Sequence, residues 1–211
     1  MLKKLLPAYF FAIFLAACQS GPPEVDTLFS RMPDDYTGVV FANTLTLDES
    51  FDVFRYRNYY NGGGVALGDV NNDGLTDIYL TANMLPNRLF INRGNWQFED
   101  VTESAGVEGT KTWSTGVSMA DVNGDGWLDI YVCNSGNPEG GDKENELFIN
   151  QQDGTFLEQA SKYGLDDGGF STHAVFFDYD LDNDLDCYIL NNSFRPVNEF
   201  GLTNIREERD E

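Results

Sequence analysis

Three stretches of the chain place oxygen-bearing side chains at alternating positions. They are Asp69, Asn71, Asp73 and Asp77; Asp121, Asn123, Asp125 and Asp129; and Asp178, Asp180, Asp182 and Asp186. Counted from the first Asp, each run has Asp or Asn at positions 1, 3, 5 and 9, with Gly74, Gly126 or Asn183 at position 6. Alternate side chains on a tightly turning loop converge on one point, and converging carboxylates repel unless a cation sits among them. Hard oxygen donors in this number suit calcium, which takes about six to eight oxygens, better than zinc or copper, which favour nitrogen and sulfur. Gly or Asn at position 6 tolerates the left-handed backbone of a sharp turn. Position 7, occupied by Leu75, Trp127 and Asp184, then offers its carbonyl, so its side chain is free to vary. The predicted donor sets are therefore Asp69, Asn71, Asp73, the Leu75 carbonyl and Asp77; Asp121, Asn123, Asp125, the Trp127 carbonyl and Asp129; and Asp178, Asp180, Asp182, the Asp184 carbonyl and Asp186. Up to three Ca²⁺ ions are expected.

An EF-hand starts in the same way but ends with Glu at position 12 on a helix. Here position 12 is Leu80, Val132 or Ile189, each in a β-like run such as Ile78-Tyr79-Leu80. The loops are thus predicted to close with Asp at position 9 and to join two strands. The runs begin at Asp69, Asp121 and Asp178, at intervals of 52 and 57 residues. Between them Asn87-Arg88-Leu89-Phe90-Ile91-Asn92 matches Asn145-Glu146-Leu147-Phe148-Ile149-Asn150, and each is followed by a Gly turn and another apolar run. Val65-Ala66-Leu67, Ile78-Tyr79-Leu80, Leu89-Phe90-Ile91 and Trp96-Gln97-Phe98 read as short strands divided by Gly, Asn and Asp. Four such strands per period of about fifty residues is the pattern of a propeller blade. The fold class is therefore all-β: β-propeller blades of four short antiparallel strands, a partial propeller of about three blades over residues 36–211. The third repeat stops before its Leu-Phe-Ile-Asn-like strand, so the propeller is expected to continue beyond residue 211 or to complete its sheet with another polypeptide.

The chain opens with Lys3 and Lys4, an apolar stretch from Leu5 to Leu15, and Ala16-Ala17-Cys18. This is the layout of a secretory signal, too short to cross a bilayer of ~30 Å as a helix. Leu15-Ala16-Ala17-Cys18 also has the form of a bacterial lipoprotein processing site, so residues 1–18 are read as a lipoprotein signal peptide with Cys18 lipidated. The polar, Pro-containing residues 19–35 are read as a flexible tether. The expected location is that of an exported lipoprotein anchored at the outer membrane or cell surface of a bacterium.

The formal net charge is −22. A surface so acidic repels phosphate backbones, which argues against nucleic acid as a partner. With 41% hydrophobic and 14% aromatic residues the chain carries enough apolar surface for a core, so the acid must have a local use rather than mark disorder. Cys133 and Cys187 sit at different places in their repeats and are read as buried free thiols. His173, the single histidine, has no recognisable nucleophile or metal partner and is read as structural. Trp96, Trp113 and Trp127 are read as packing residues, with a sugar-stacking role as the alternative.

The Tyr60-Asn61-Gly62-Gly63-Gly64-Val65-Ala66 segment before Asp69, the Trp113-Ser114-Thr115-Gly116-Val117 segment before Asp121 and the Leu-Phe-Ile-Asn strands together resemble the FG-GAP/VCBS repeat family. The likeness is closer to its acidic-repeat members, which carry ASPIC/UnbV modules and include the cartilage acidic protein group. The resemblance implies calcium-bound propeller blades on exported proteins that serve adhesion or assembly. Two positions depart from the pattern: Asn183 stands where Gly is usual, and the third repeat is incomplete. No enzymatic activity is expected. A calcium-dependent surface module binding a protein or glycan is the leading reading; a non-catalytic part of a larger secreted enzyme, or a structural spacer, are the alternatives.

Overall fold

In a computed structural model of the chain, residues 28–46, 52, 53, 56, 58–136 and 141–192 are described. The leader, Cys18 and the segment 193–211 lie outside the described residues. The chain divides into two compact units, residues 1–32 and 33–211, and every strand belongs to the second.

Short runs of β-branched and aromatic residues, interrupted by turn-forming Asn, Asp and Gly, give short antiparallel strands. The first sheet has the order β1 (Val65–Gly68), β2 (Asp77–Leu80), β3 (Arg88–Asn92) and β4 (Phe98–Asp100). The second repeats it with β5 (Ser114–Ala120), β6 (Asp129–Asn134), β7 (Glu146–Asn150) and β8 (Phe156–Glu158). The third holds β9 (Ser171–Phe177) paired with β10 (Asp186–Asn191). These are propeller blades, two of four strands and one of two among the described residues.

One reading is corrected at the fourth strand of the first blade. Trp96-Gln97-Phe98 reads as a strand in the sequence, but the strand runs from Phe98 to Asp100 and Trp96 sits in the turn before it. Asn95 and Trp96 both have positive φ, 52° and 62°, which no strand residue adopts. Among the described residues the helical content is three single turns: α1 (Asp34–Thr37), and α2 (Thr102–Ala105) and α3 (Ala160–Tyr163), which follow the fourth strands of the first two blades. Among the described residues no helix is long and apolar enough to cross a membrane.

The cores lie between blades rather than within them. Tyr79, Leu89, Ile91 and Val107 of the first repeat meet Val117, Ile130, Val132, Phe148 and Phe156 of the second. Tyr131, Cys133, Leu147 and Ile149 of the second meet Ala174, Phe176, Cys187 and Ile189 of the third. The middle blade is therefore covered on both faces, and every residue of β6 is buried. Tyr188, the third-repeat counterpart of Tyr131, is 61% exposed, whereas Tyr131 is 1% exposed. That difference is the burial one neighbouring blade supplies.

Inner strands pack backbone against backbone. A side chain at Gly64 would place its Cβ 2.7 Å from the Thr115 carbonyl oxygen, so only glycine permits this approach. The buried hydroxyls of Tyr79 and Tyr131 donate to the carbonyls of Val107 (2.6 Å) and Leu165 (2.8 Å), tying the segment after each fourth strand back onto its own blade.

Candidate metal centre

Each acidic run joins the first two strands of a blade, as the sequence predicts. In the first loop Asp69 accepts the N–H groups of Asp73 (3.1 Å) and Gly74 (2.7 Å), one on each carboxylate oxygen. Asn71 accepts the Asp73 N–H and donates from Nδ2 to Asp73 Oδ2 at 3.0 Å. Asp73 in turn accepts the Leu75 N–H at 2.8 Å. The second loop repeats the pattern: Asp121 accepts from Asp125 and Gly126, Asn123 pairs with Asp125, and Asp125 accepts from Trp127. In the third, Asp178 accepts from Asp182 and Asn183, and Asp182 from Asp184. These bonds turn the backbone around the carboxylates.

The turn has the left-handed backbone at position 6 that the residue types suggest: Gly74, Gly126 and Asn183 have φ of 86°, 86° and 73°. Position 4 is left-handed as well, at Asn72 (56°), Gly124 (72°) and Leu181 (65°). The sequence reading assigned position 4 no role, although Asn and Gly there were the available sign. Leu181 is the exception, since a branched apolar residue in this region costs roughly 1–2 kcal/mol.

Position 9 does more than close the loop. Asp77 and Asp129 are buried, at 0% and 1% exposure. Asp77 accepts the Val70 N–H (2.9 Å) from its own loop and the Asn92 N–H (2.8 Å) from the end of β3. Asp129 does the same with Val122 (3.0 Å) and Asn150 (2.8 Å). Asp186 accepts the Tyr179 N–H at 2.8 Å. Burial pushes the Asp77 and Asp129 carboxyls above the usual carboxylate range; the N–H donors oppose this, and the neighbouring loop aspartates add to it. Asp184 is also raised, by its hydrogen bond with Asp182 and by the charges of Asp182, Asp186 and Asp180. Anionic loops that resist ionising in their own company are what a bound cation would relieve.

Asn92 and Asn150 were missed as loop residues, although the repeated Leu-Phe-Ile-Asn placed both at the same strand end. The Asn92 side chain donates to the Thr76 carbonyl, and Asn150 donates to the carbonyls of Leu128 (3.1 Å) and Val70 (2.8 Å). Val70 belongs to the first loop, so Asn150 couples two loops across the blade interface. Asn72 Nδ2 also donates to the Gly126 carbonyl at 3.2 Å, a second link between the same loops.

Asp178, Asp180 and Asp186 each bring a carboxylate oxygen within 4.8 Å of the others, a group that could hold a metal ion among the described residues. In the first two loops Asn replaces Asp180 at position 3, so the equivalent donors include an amide oxygen. The donor types are all oxygen, which fits a hard divalent cation. Cys133 and Cys187 pack in the core between the second and third blades as free thiols, Cys187 directly after the last acidic residue of the third loop. Burial pushes their pKa values up to about 12 and about 11, so both are protonated at neutral pH. His173 is exposed on β9 and lies against Gly116. Trp113 is buried in an aromatic cluster with Tyr56 and Tyr59, as a packing residue. Trp96 is 68% exposed, which the packing reading did not anticipate.

Residues 69–132, which hold the first two loops, match the FG-GAP-like repeat family. The chain is similar to cartilage acidic protein 1 of Homo sapiens, 39% identical over 128 residues that make up 61% of this chain and 19% of that protein. It is 30% identical to cartilage acidic protein 1 of Mus musculus over 128 residues, 61% of this chain and 20% of that protein. The Xenopus tropicalis protein of the same name is 39% identical over 82 residues, 38% of this chain and 13% of its own length. The chain thus spans a fifth or less of these curated relatives.

Proposed function

We propose that this chain, which carries FG-GAP-like repeats, is a calcium-binding propeller module that acts by binding a protein or glycan at a cell surface rather than by catalysis. The observation that carries the reading is the repetition of one loop geometry in three blades, each with its first carboxylate organised by backbone N–H groups and its last anchored in the hairpin.

In each loop, positions 1, 3, 5 and 9 would supply side-chain oxygens and position 7 its carbonyl, which gives the donor sets already named. A calcium ion there would neutralise carboxylates that otherwise repel. The chain's own residues do the rest. Asp77 and Asp129 hold the start of their loops and the end of the third strand in fixed register. Asn150 and Asn72 tie neighbouring loops together, so order in one loop reaches the next blade.

Export and anchoring through a lipidated Cys18 belong to the same proposal; Cys18→Ser would abolish recovery in the membrane fraction. Metal binding is tested with terbium, whose emission Trp127 would sensitise in the second loop. Saturable emission that calcium displaces is expected, and Asp125→Ala should remove most of it. Emission that calcium leaves unchanged would refute the site.

A further inference from the structure

We infer that the cleft between the first and second blades binds a neutral saccharide, seated against Trp127 and held by the Arg93–Glu99 pair. The inference rests on the reading of the chain as a binding module and assigns that module its ligand.

Both walls of this cleft are present in the structure. Leu89, Ile91 and Arg93 alternate along β3 and just past its end, and Glu99 and Val101 alternate along β4, so they line the face of the first blade that meets the second. Opposite them stand Trp127 from the second acidic loop, Asp153 and Thr155 from the β7–β8 turn, and Phe156 from the start of β8. The cleft holds about 520 Å³, within the range of about 300–1,000 Å³ for small-ligand sites. Leu89, Ile91 and Phe156 are buried and form its floor. At the rim Arg93 donates to Glu99 Oε2 from Nε at 2.8 Å and from Nη2 at 2.7 Å.

The rim is not made of repeat residues. The equivalent pairings of Ile91 with Glu99 and Ile149 with Leu157 put Gln151 and Leu157 of the second blade where the first has Arg93 and Glu99. Trp127 stands where the other loops have Leu75 and Asp184. A residue that the blade needs in order to fold recurs with the blade. An Arg–Glu pair half in solvent adds little to stability, so it gives the fold no reason to keep it there. The pair and the tryptophan occur once each and meet in one cleft, which points to a ligand.

The chemistry of the cleft selects the ligand class. A pyranose ring has an apolar C–H face and an edge of hydroxyls; Trp127 and the floor suit the face, and Arg93 as donor beside Glu99 as acceptor suits two neighbouring hydroxyls. A wholly apolar ligand would strip water from the charged pair and return no hydrogen bond. An anionic ligand would meet Asp153, whose carboxyl the Thr155 hydroxyl and N–H hold below the usual carboxylate range, in a protein of net charge −22. A basic ligand would meet the Arg93 guanidinium. Two lining residues belong to the acidic loops, Asn71 at position 3 of the first and Trp127 at position 7 of the second. Ions in those loops would fix both walls, so saccharide binding should strengthen with calcium.

The test uses the full chain with Cys18→Ser in calcium, and saturation-transfer NMR with the methyl glycosides of glucose, galactose, mannose and N-acetylglucosamine. Methyl glucuronoside serves as the anionic probe and butylamine as the basic one. The expected result is saturable transfer to the ring protons of at least one neutral glycoside, with the glucuronoside about tenfold weaker and butylamine unbound. Arg93→Gln and Trp127→Leu each install the residue of a sister repeat, so melting temperature and calcium heat should hold while glycoside affinity falls about tenfold. No saturable transfer to any neutral glycoside, a charged probe bound as tightly as the best neutral one, or affinity indifferent to both substitutions would overturn the inference. Calcium calorimetry on the same protein separates the two ideas. Calcium binding with no glycoside response refutes the saccharide site alone, whereas glycoside binding with no calcium heat refutes the calcium reading and leaves the cleft standing.

Discussion

Asn150 N–H donates to Asp129 Oδ1 at 2.8 Å, which fixes the end of the third strand of the second blade against the last residue of its acidic loop. The Asn150 side chain continues the link through 2.8 Å to the Val70 carbonyl in the neighbouring blade. One asparagine therefore holds two loops to one sheet.

Asn150→Ala keeps the N–H to Asp129 but leaves the buried Val70 carbonyl and the half-buried Leu128 carbonyl without this donor. The loss should be about 1–3 kcal/mol, the cost of stranding buried polar groups, and denaturant unfolding should show it. Calcium affinity at both the first and second loops should weaken, because the substitution loosens the contact between them.

Ile130 is fully buried between the first two blades, whereas Leu190 on the third is 51% exposed. Ile130→Ala should cost roughly 2–5 kcal/mol as a core truncation, and Leu190→Ala should fall within about 0.5 kcal/mol of the parent protein. Equal losses in thermal unfolding would contradict a core that lies between blades.

In the ion-free protein, Asp77 and Asp129 have folded-state pKa values raised above the usual 3.8, chiefly by burial. The folded state then binds their protons more tightly than the unfolded state. Their contribution to stability is fully present below the unfolded value and is lost as pH rises through the folded values. In chelator, the melting temperature should therefore rise as pH is lowered from neutral through that window, and Asp129→Asn should flatten the slope. Calcium should reverse the trend, since protons compete with the ion for the same carboxylates.

The loops were legible because three copies of one spacing lie in register, and each is flanked by the same strand pattern. Position 6 was readable from Gly74, Gly126 and Asn183, since few residue types accept that backbone. The anchoring role of Asp77 and Asp129 was not readable, because their partners come from Asn92 and Asn150, 15 and 21 residues away, through backbone N–H groups that carry no sequence mark. The fourth strand was misplaced at Trp96 for a related reason. An aromatic next to an apolar run reads as strand, and the left-handed turn that holds it shows only in the backbone. The cysteines were placed correctly as free thiols, because their different positions in the repeat do not bring them to equivalent sites.

The most direct test is titration calorimetry of calcium into chelator-stripped protein, paired with melting curves with and without calcium. Saturable binding of up to three ions is expected, with dissociation constants of about 10⁻⁴ to 10⁻³ M as for extracellular modules. Each occupied site should add about 2.7 kcal/mol when free calcium reaches ~100 times its dissociation constant, which raises the melting temperature visibly. Asp125→Ala should remove one site. The third loop, with carboxylates at positions 1, 3, 5 and 9, should depend on calcium most. No heat of binding, together with a melting curve indifferent to calcium, would contradict the account.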